Sequence, residues 1–274
     1  MVVGAVVSVQ LGSAAATTLF DQVGPAGAVL YRLSFAAILL LAIWRPAPME
    51  AGRDGLKLAI AFGVTLAGMN LCFYEALDRI PLGIAVTFEF VGPLVVGLLG
   101  SRRPLDLVWV GCAAAGVLLL TRPSGSASAA GIGFALLAGA FWAAYILISA
   151  RVGRTFPGGR GLALAMGIAA LLMIVPGIAA AGGDLLDPGA AAVGAATGVF
   201  SSVIPYSLEL EALRRIAVGT FGVLMSIEPA VAAVIGLVAL GQDLATVDVI
   251  GIGLVVVASA GVLGSGMGEP ATEA

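Results

Sequence analysis

Two glutamates, Glu89 and Glu228, stand inside long apolar stretches, and each has a proline close behind it: Pro93 four residues after the first, Pro229 directly after the second. A charged side chain near the centre of a bilayer costs about 2.5 to 3.5 kcal/mol on insertion scales, which makes an acid so placed a functional candidate by default. A proline donates no backbone hydrogen bond and so frees the carbonyl four residues earlier, that of Glu89 for Pro93 and that of Met225 for Pro229. In lipid such a carbonyl is tolerated only against protein or a water-filled cavity. An acid beside a helix break, twice over, therefore points to a polar cavity near the midplane. The chemistry it could do is ion exchange. Burial favours a neutral carboxyl group and a nearby cation favours the carboxylate, so one site can hold a proton in one state and an ammonium group in another. The structural alternative is an acid that pairs with a buried arginine or accepts helix hydrogen bonds, beside a proline that kinks its helix for packing.

More polar residues fall within the same apolar runs. Gln10 lies in the first, Asn70 and Tyr74 in the third, Trp142 and Tyr145 in the sixth, Tyr206 and Glu209 in the eighth and Ser226 in the ninth. All are candidates for lining that cavity, with Glu209 nearest the cytoplasmic side. Asn70 and Tyr74 are four apart and share a helix face. Trp142 and Tyr145 would serve equally as core or interface aromatics. Arg32, near the outer end of the second run, is expected to snorkel or to pair with a buried glutamate rather than meet a ligand. Cys72 and Cys112 read as small apolar packing residues. The chain has no histidine, the commonest metal ligand and general base, and shows no metal-ligand cluster, phosphate loop or activated nucleophile. No enzyme activity, metal, cofactor or nucleic-acid partner is expected.

Helices in a bilayer must position these groups. Of 274 residues 60% are apolar and 11% charged, and there is a single lysine, Lys57. A hydrocarbon core of roughly 30 Å needs about 20 apolar residues per helix. Ten runs approach that length: 2–20, 26–44, 57–77, 83–100, 107–121, 131–150, 161–181, 191–213, 220–240 and 247–264. Their continuity disfavours a β-barrel, whose strands alternate in and out. The first run lacks the basic flank of a secretory signal and reads as a retained helix. The expectation is an all-α membrane protein of ten transmembrane helices.

The chain is also built twice. Residues 75–93, EALDRIPLGIAVTFEFVGP, return 136 positions later as EALRRIAVGTFGVLMSIEP, with Glu75/Glu211, Gly83/Gly219 and Pro93/Pro229 in register. Arginine and lysine concentrate after the second, fourth, sixth and eighth runs (Arg45, Arg53, Lys57; Arg102, Arg103; Arg151, Arg154, Arg160; Arg214, Arg215), whereas the intervening loops hold Arg79 and Arg122 alone. That asymmetry places both termini in the cytoplasm. Five helices per half force the second half to be inverted, so the expected division is residues 1–125 and 126–274, two inverted five-helix repeats joined near the Ser/Gly-rich stretch 122–130. Glu75 and Glu211 sit close to their helix ends, within reach of water, and read as structural.

These residues resemble the drug/metabolite transporter superfamily, in particular its ten-helix EamA-type exporters, and among those the bacterial inner-membrane exporters of threonine- and homoserine-like amino acids. The resemblance is carried by SVQLG (8–12), GMNLCFY (68–74), PLGIAVTFEFVGPL (81–94), SRRPLDLVWV (101–110), FWAAYIL (141–147), IPYSLE (204–209) and FGVLMSIEPAVAA (221–233), and covers nearly the whole chain. It implies export of small amino acids across the inner membrane, driven by protons, through a central cavity between two five-helix bundles. The family pattern includes Gln10, Asn70, Tyr74, Glu89, Trp142, Tyr145, Tyr206, Glu209, Ser226 and Glu228. The chain departs from it at Glu75 and Glu211, which supports their structural reading, and in a shorter amino terminus without a basic leader. A broader metabolite or drug exporter is the alternative within the superfamily. A membrane enzyme or non-transporting scaffold is the alternative outside it.

Overall fold

The computed structural model describes residues 1–47, 51–99, 106–120, 128–213 and 224–265. Arg102, Arg103, Arg122, Arg214, Arg215, Gly219 and the side chain of Glu211 lie outside the described residues. Among those described the chain is helical without strands: α1 (Val2–Thr17), α2 (Phe20–Trp44), α3 (Gly52–Leu77), α4 (Leu82–Glu89), α5 (Val91–Leu99), α6 (Asp106–Leu120), α7 (Ala129–Thr155), α8 (Arg160–Ala181), α9 (Pro188–Gly198), α10 (Ile204–Leu213), α11 (Glu228–Leu240) and α12 (Thr246–Ser265). Five stretches are long and apolar enough to cross a membrane: Phe20–Trp44, Gly52–Leu77, Ala129–Thr155, Arg160–Leu186 and Pro188–Glu209. Shorter apolar helices cover Val2–Thr17, Leu82–Val96, Val108–Leu120, Glu228–Leu240 and Thr246–Gly261. Leu118, Leu171, Val175 and Val238 are each more than 65% exposed. Side chains of this kind are solvated by lipid tails rather than by water.

Local chemistry sets the boundaries. Gly24 takes φ 67° and ψ 168°, which interrupts α2 just before Pro25. Asp187 caps α9 by accepting from the Ala190 N–H at 2.7 Å, with Pro188 in the first turn, where a missing donor costs nothing. Ser128 caps α7 through the Gly131 N–H at 3.0 Å. Gln242 Oε1 accepts from the Leu82 N–H at 2.9 Å, so the residue just beyond α11 satisfies the start of α4.

Three expectations change. The arginines and lysine counted as loop residues are partly helical: Arg53 and Lys57 lie in α3, Arg151 and Arg154 in α7, and Arg160 opens α8. Helical hydrogen bonding continues past the apolar run because long basic stems reach water from a helix end. The fourth run is two helices, α4 and α5, separated at Phe90. The ninth is interrupted by a turn at Ser226–Ile227, and α11 begins only at Glu228.

The tightest packing joins α2 to α8, α3 to α7 and α6 to α12, followed by α3 to α8, α2 to α9 and α4 to α11. Small residues allow it. A Cβ on Gly116 would lie 2.7 Å from the Gly251 carbonyl oxygen, and one on Gly251 would lie 3.0 Å from that of Gly116. With no hydrophobic effect to drive helices together in lipid, this close backbone approach is what dispersion and packing can use. Every residue of α4 is buried, and this helix ends at Glu89.

Candidate substrate cavity

A cavity of about 610 Å³, counted to its open side, lies among α1, α2, α3, α4, α7, α10 and the entry to α11. Three acids line it, Glu89, Glu209 and Glu228, together with Gln10, Asn70, Trp142, Tyr145 and Tyr206. Eight of the ten residues singled out in the sequence thus come together from six helices. Tyr74 and Ser226 do not line it, though both are buried.

Glu228 sits in the first turn of α11, the end of a helix where a negative charge is favoured. Its Oε1 accepts from Gln10 Nε2 at 2.9 Å, a contact that ties α11 to α1 across 218 residues of chain. Among the described residues Glu228 Oε2, Gln10 Oε1 and Ser13 Oγ are buried there without a hydrogen-bond partner. Three oxygens on one wall are therefore available to a donor.

Glu89 is held differently. Its carbonyl, freed by Pro93, faces α7, where a Cβ on Gly139 would stand 2.6 Å from the oxygen. The break is thus sealed by a glycine on another helix, while Glu89 itself, 9% exposed as a residue, lines the cavity. Among the described residues no side-chain hydrogen bond or ion pair engages that carboxyl group.

The aromatic residues form a second wall. Trp142 meets Phe90 edge to face with ring centroids 5.3 Å apart, and Tyr145 stacks on Tyr206 at 6.2 Å and against Phe62 at 5.2 Å. Asn70 donates to the Leu66 carbonyl at 2.8 Å, and among the described residues no other side-chain hydrogen bond engages its amide.

Sequence reasoning set Arg32 aside, and the structure corrects that reading. Arg32 is 4% exposed, far from snorkelling, and its partners are neutral: Nε donates to Ser202 Oγ at 3.1 Å, Nη2 to the Ser201 carbonyl at 2.7 Å and Nη1 to Tyr74 Oη at 3.3 Å. It lines the cavity together with Glu89, and the expected pairing with a buried glutamate takes the form of a longer-range attraction to Glu89, with no ion pair within 4 Å among the described residues. The cause is a π-helical turn, Val199–Val203, between α9 and α10, which widens the helix and turns carbonyls away from its own ladder. Ser8 Oγ takes the Phe200 carbonyl at 2.7 Å and Arg32 takes that of Ser201. Gly12 lets α1 approach this turn, since a Cβ there would lie 2.9 Å from the Ser201 nitrogen. Tyr74, four residues beyond Asn70, serves Arg32 with its hydroxyl and lies under it as a cation–π partner at 5.4 Å. A lone arginine within an apolar run and the Ser201-Ser202 pair were the available signals.

Glu75 pairs with Arg79 at 2.6 Å, partly exposed and away from the cavity. Cys72 and Cys112 are free thiols. Among the described residues no cluster of acids and cysteines could hold a metal.

A cavity lined by three acids and an arginine among long apolar helices fits a transporter, and the relatives agree. Residues 129–264 match the EamA-like transporter family, and the chain belongs to that family. It is similar to the threonine/homoserine exporter RhtA of Escherichia coli strain K12, with 39% identity over 260 residues, covering 94% of this chain and 88% of the relative. The protein of the same description from Salmonella typhimurium strain LT2 is 38% identical over 257 residues, covering 93% and 87%. A solved crystal structure of 19% identity superposes with a TM-score of 0.65 over 94% of this chain and 95% of its own, which shows a shared fold. The protein is a multi-pass bacterial inner-membrane protein.

Proposed function

We propose that this protein exports small amino acids of the threonine and homoserine kind in exchange for protons, by alternating access around the cavity. The observation that carries this reading is the convergence of Glu89, Glu209 and Glu228 on one buried cavity, in a chain whose relatives at 38–39% identity are threonine/homoserine exporters. Glu89 is the exchanging acid, since among the described residues no hydrogen bond or close ion pair holds its carboxyl group, and Glu228 is the anchored one, fixed by Gln10. Asn70, Trp142, Tyr145 and Tyr206 shape the rest of the site; Tyr74 and Ser226 support it from behind.

The proposed topology is ten membrane helices in two inverted repeats, residues 1–125 and 126–274, with both termini in the cytoplasm. It counts α4–α5 as one span and α9–α10 as another. In support, exchanging each span for the one five places along turns the principal packing pairs into one another: α2–α8, α4–α11 and α6–α12 map onto themselves, and α3–α7 maps onto α10–α1. Fusing a reporter that is active on one side of the membrane to each terminus tests the orientation.

The decisive experiment is flux in proteoliposomes. An imposed proton gradient is expected to drive homoserine or threonine uphill, and a protonophore to stop it. Downhill movement indifferent to the gradient would remove the exchange mechanism. Met69, Phe73, Trp142 and Met225 give the same cavity an apolar side, which favours a second reading, a broader metabolite exporter. Competition by bulky apolar compounds in that flux assay would select it.

A further inference from the structure

Resting on the amino-acid reading above, we propose that Arg32 is the carboxylate anchor of the cargo, so that export requires a free carboxylate as well as an ammonium group. A guanidinium has five N–H donors in a fixed plane. Three are occupied, by Ser202 Oγ, the Ser201 carbonyl and Tyr74 Oη, which leaves one on each terminal nitrogen. The three bonds hold the group rigid and satisfy the π-turn, yet none of them neutralises its charge. A buried arginine normally has an anion for a partner, because desolvating the charge is expensive. Among the described residues no carboxylate lies within ion-pair distance of Arg32, Glu89 acting on it only at longer range, although the residue lines an open cavity.

The remaining charges of that cavity are acidic. Among the described residues Glu228 Oε2 and Gln10 Oε1 are acceptors without donors, and no side-chain hydrogen bond or ion pair within 4 Å engages the Glu89 carboxyl group, which meets Arg32 only through longer-range electrostatic attraction. A zwitterion supplies what each side lacks: ammonium hydrogens for the acids and a carboxylate for the two free guanidinium donors. Arginine suits the second task better than lysine, because its planar fork meets a carboxylate with two parallel bonds. A role confined to bracing the π-turn would require neither a full positive charge nor two spare donors.

The test is binding to the purified full-length protein, read by thermal stabilisation over a concentration series. The ligands are L-threonine, L-threonine amide, which keeps the ammonium and loses the anion, and 3-hydroxybutyrate, which keeps the carboxylate and loses the ammonium. Wild type is expected to bind threonine at least about tenfold more tightly than the amide, the size of a lost charge-assisted bond. Arg32→Gln should weaken threonine about as much and leave the amide within about twofold, and Arg32→Lys should recover only part of the loss. Equal binding of threonine and its amide by wild type, or equal weakening of both in Arg32→Gln, would overturn the assignment and leave Arg32 a structural brace. The wild-type ratio decides alone if Arg32→Gln does not fold. Binding of 3-hydroxybutyrate without threonine would keep the anchor and refute the amino-acid reading. Binding of none of the three would refute both.

Discussion

The two helix breaks look alike in the sequence and differ in the fold. At Pro93 the chain passes from α4 to α5 through the single residue Phe90, and the freed carbonyl of Glu89 is closed off by Gly139. At Pro229 the helix stops at Ser226–Ile227 and restarts, so the proline stands in a first turn where its missing donor is not needed. The side chains follow the backbone. Glu89 leaves a packed bend with its carboxyl group unengaged, whereas Glu228 begins a helix and is fixed by Gln10. An acid next to a proline thus signals a break without saying whether the acid is held or left open.

The largest expected effect separates the two acids. In proton-driven flux, Glu89→Gln should abolish uphill transport, a loss on the order of 100-fold, because exchange needs an ionisable group. Glu228→Gln should cost only about tenfold, since glutamine still accepts from Gln10 through a neutral rather than a charge-assisted bond. Equal losses, or the reverse order, would erase the distinction between an exchanging and an anchored acid. Next in size is the seal at the first break. Gly139→Val drives a side chain into the Glu89 carbonyl and should destabilise by about 1 to 3 kcal/mol, while Gly133→Ala, on the same helix with nothing within 4 Å, should stay within about 0.5 kcal/mol. Indistinguishable melting curves for the two variants would mean that the α4–α7 contact is looser than described.

Smaller effects probe the surroundings. Ser8→Ala removes the donor to the Phe200 carbonyl and should cost about 0.6 kcal/mol, the average for a hydrogen bond between membrane helices. A shift of several kcal/mol in the same unfolding assay would show that the π-turn depends on α1 far more than one bond explains. Glu75→Gln breaks a partly exposed pair with Arg79 and should change stability by at most about 0.5 kcal/mol with flux unaltered. A transport defect there would bring the repeated acids back into the site.

The acids, Gln10, Asn70 and the aromatic residues were legible because polar groups are rare in runs this apolar, and each rarity has a cost that function can explain. Arg32 was equally rare, but its place near a run's end suited snorkelling, and only the fold shows it buried. What hid it was the π-turn, one extra residue in a helical turn, which no apolar pattern marks. Tyr74 was assigned to the cavity face by its spacing from Asn70, and one turn of helix proved enough to put it behind Arg32 instead. The breaks at Phe90 and Ser226 were announced by their prolines. Their outcomes depended on Gly139 and Gln10, residues distant in sequence.

The order of packing constrains any moving part. The strongest helix contacts run between the first and second half of the chain, as in α2 with α8, α3 with α7 and α6 with α12, while neighbours within a half, such as α1 with α2 or α7 with α8, touch little. Pulling one half away from the other would unpick nearly every tight interface at once. Under the proposed alternating access, the body that swings to open the cavity is a mixed one, with helices recruited from both halves of the chain, and the joint between the proposed repeats is not the line along which the molecule bends.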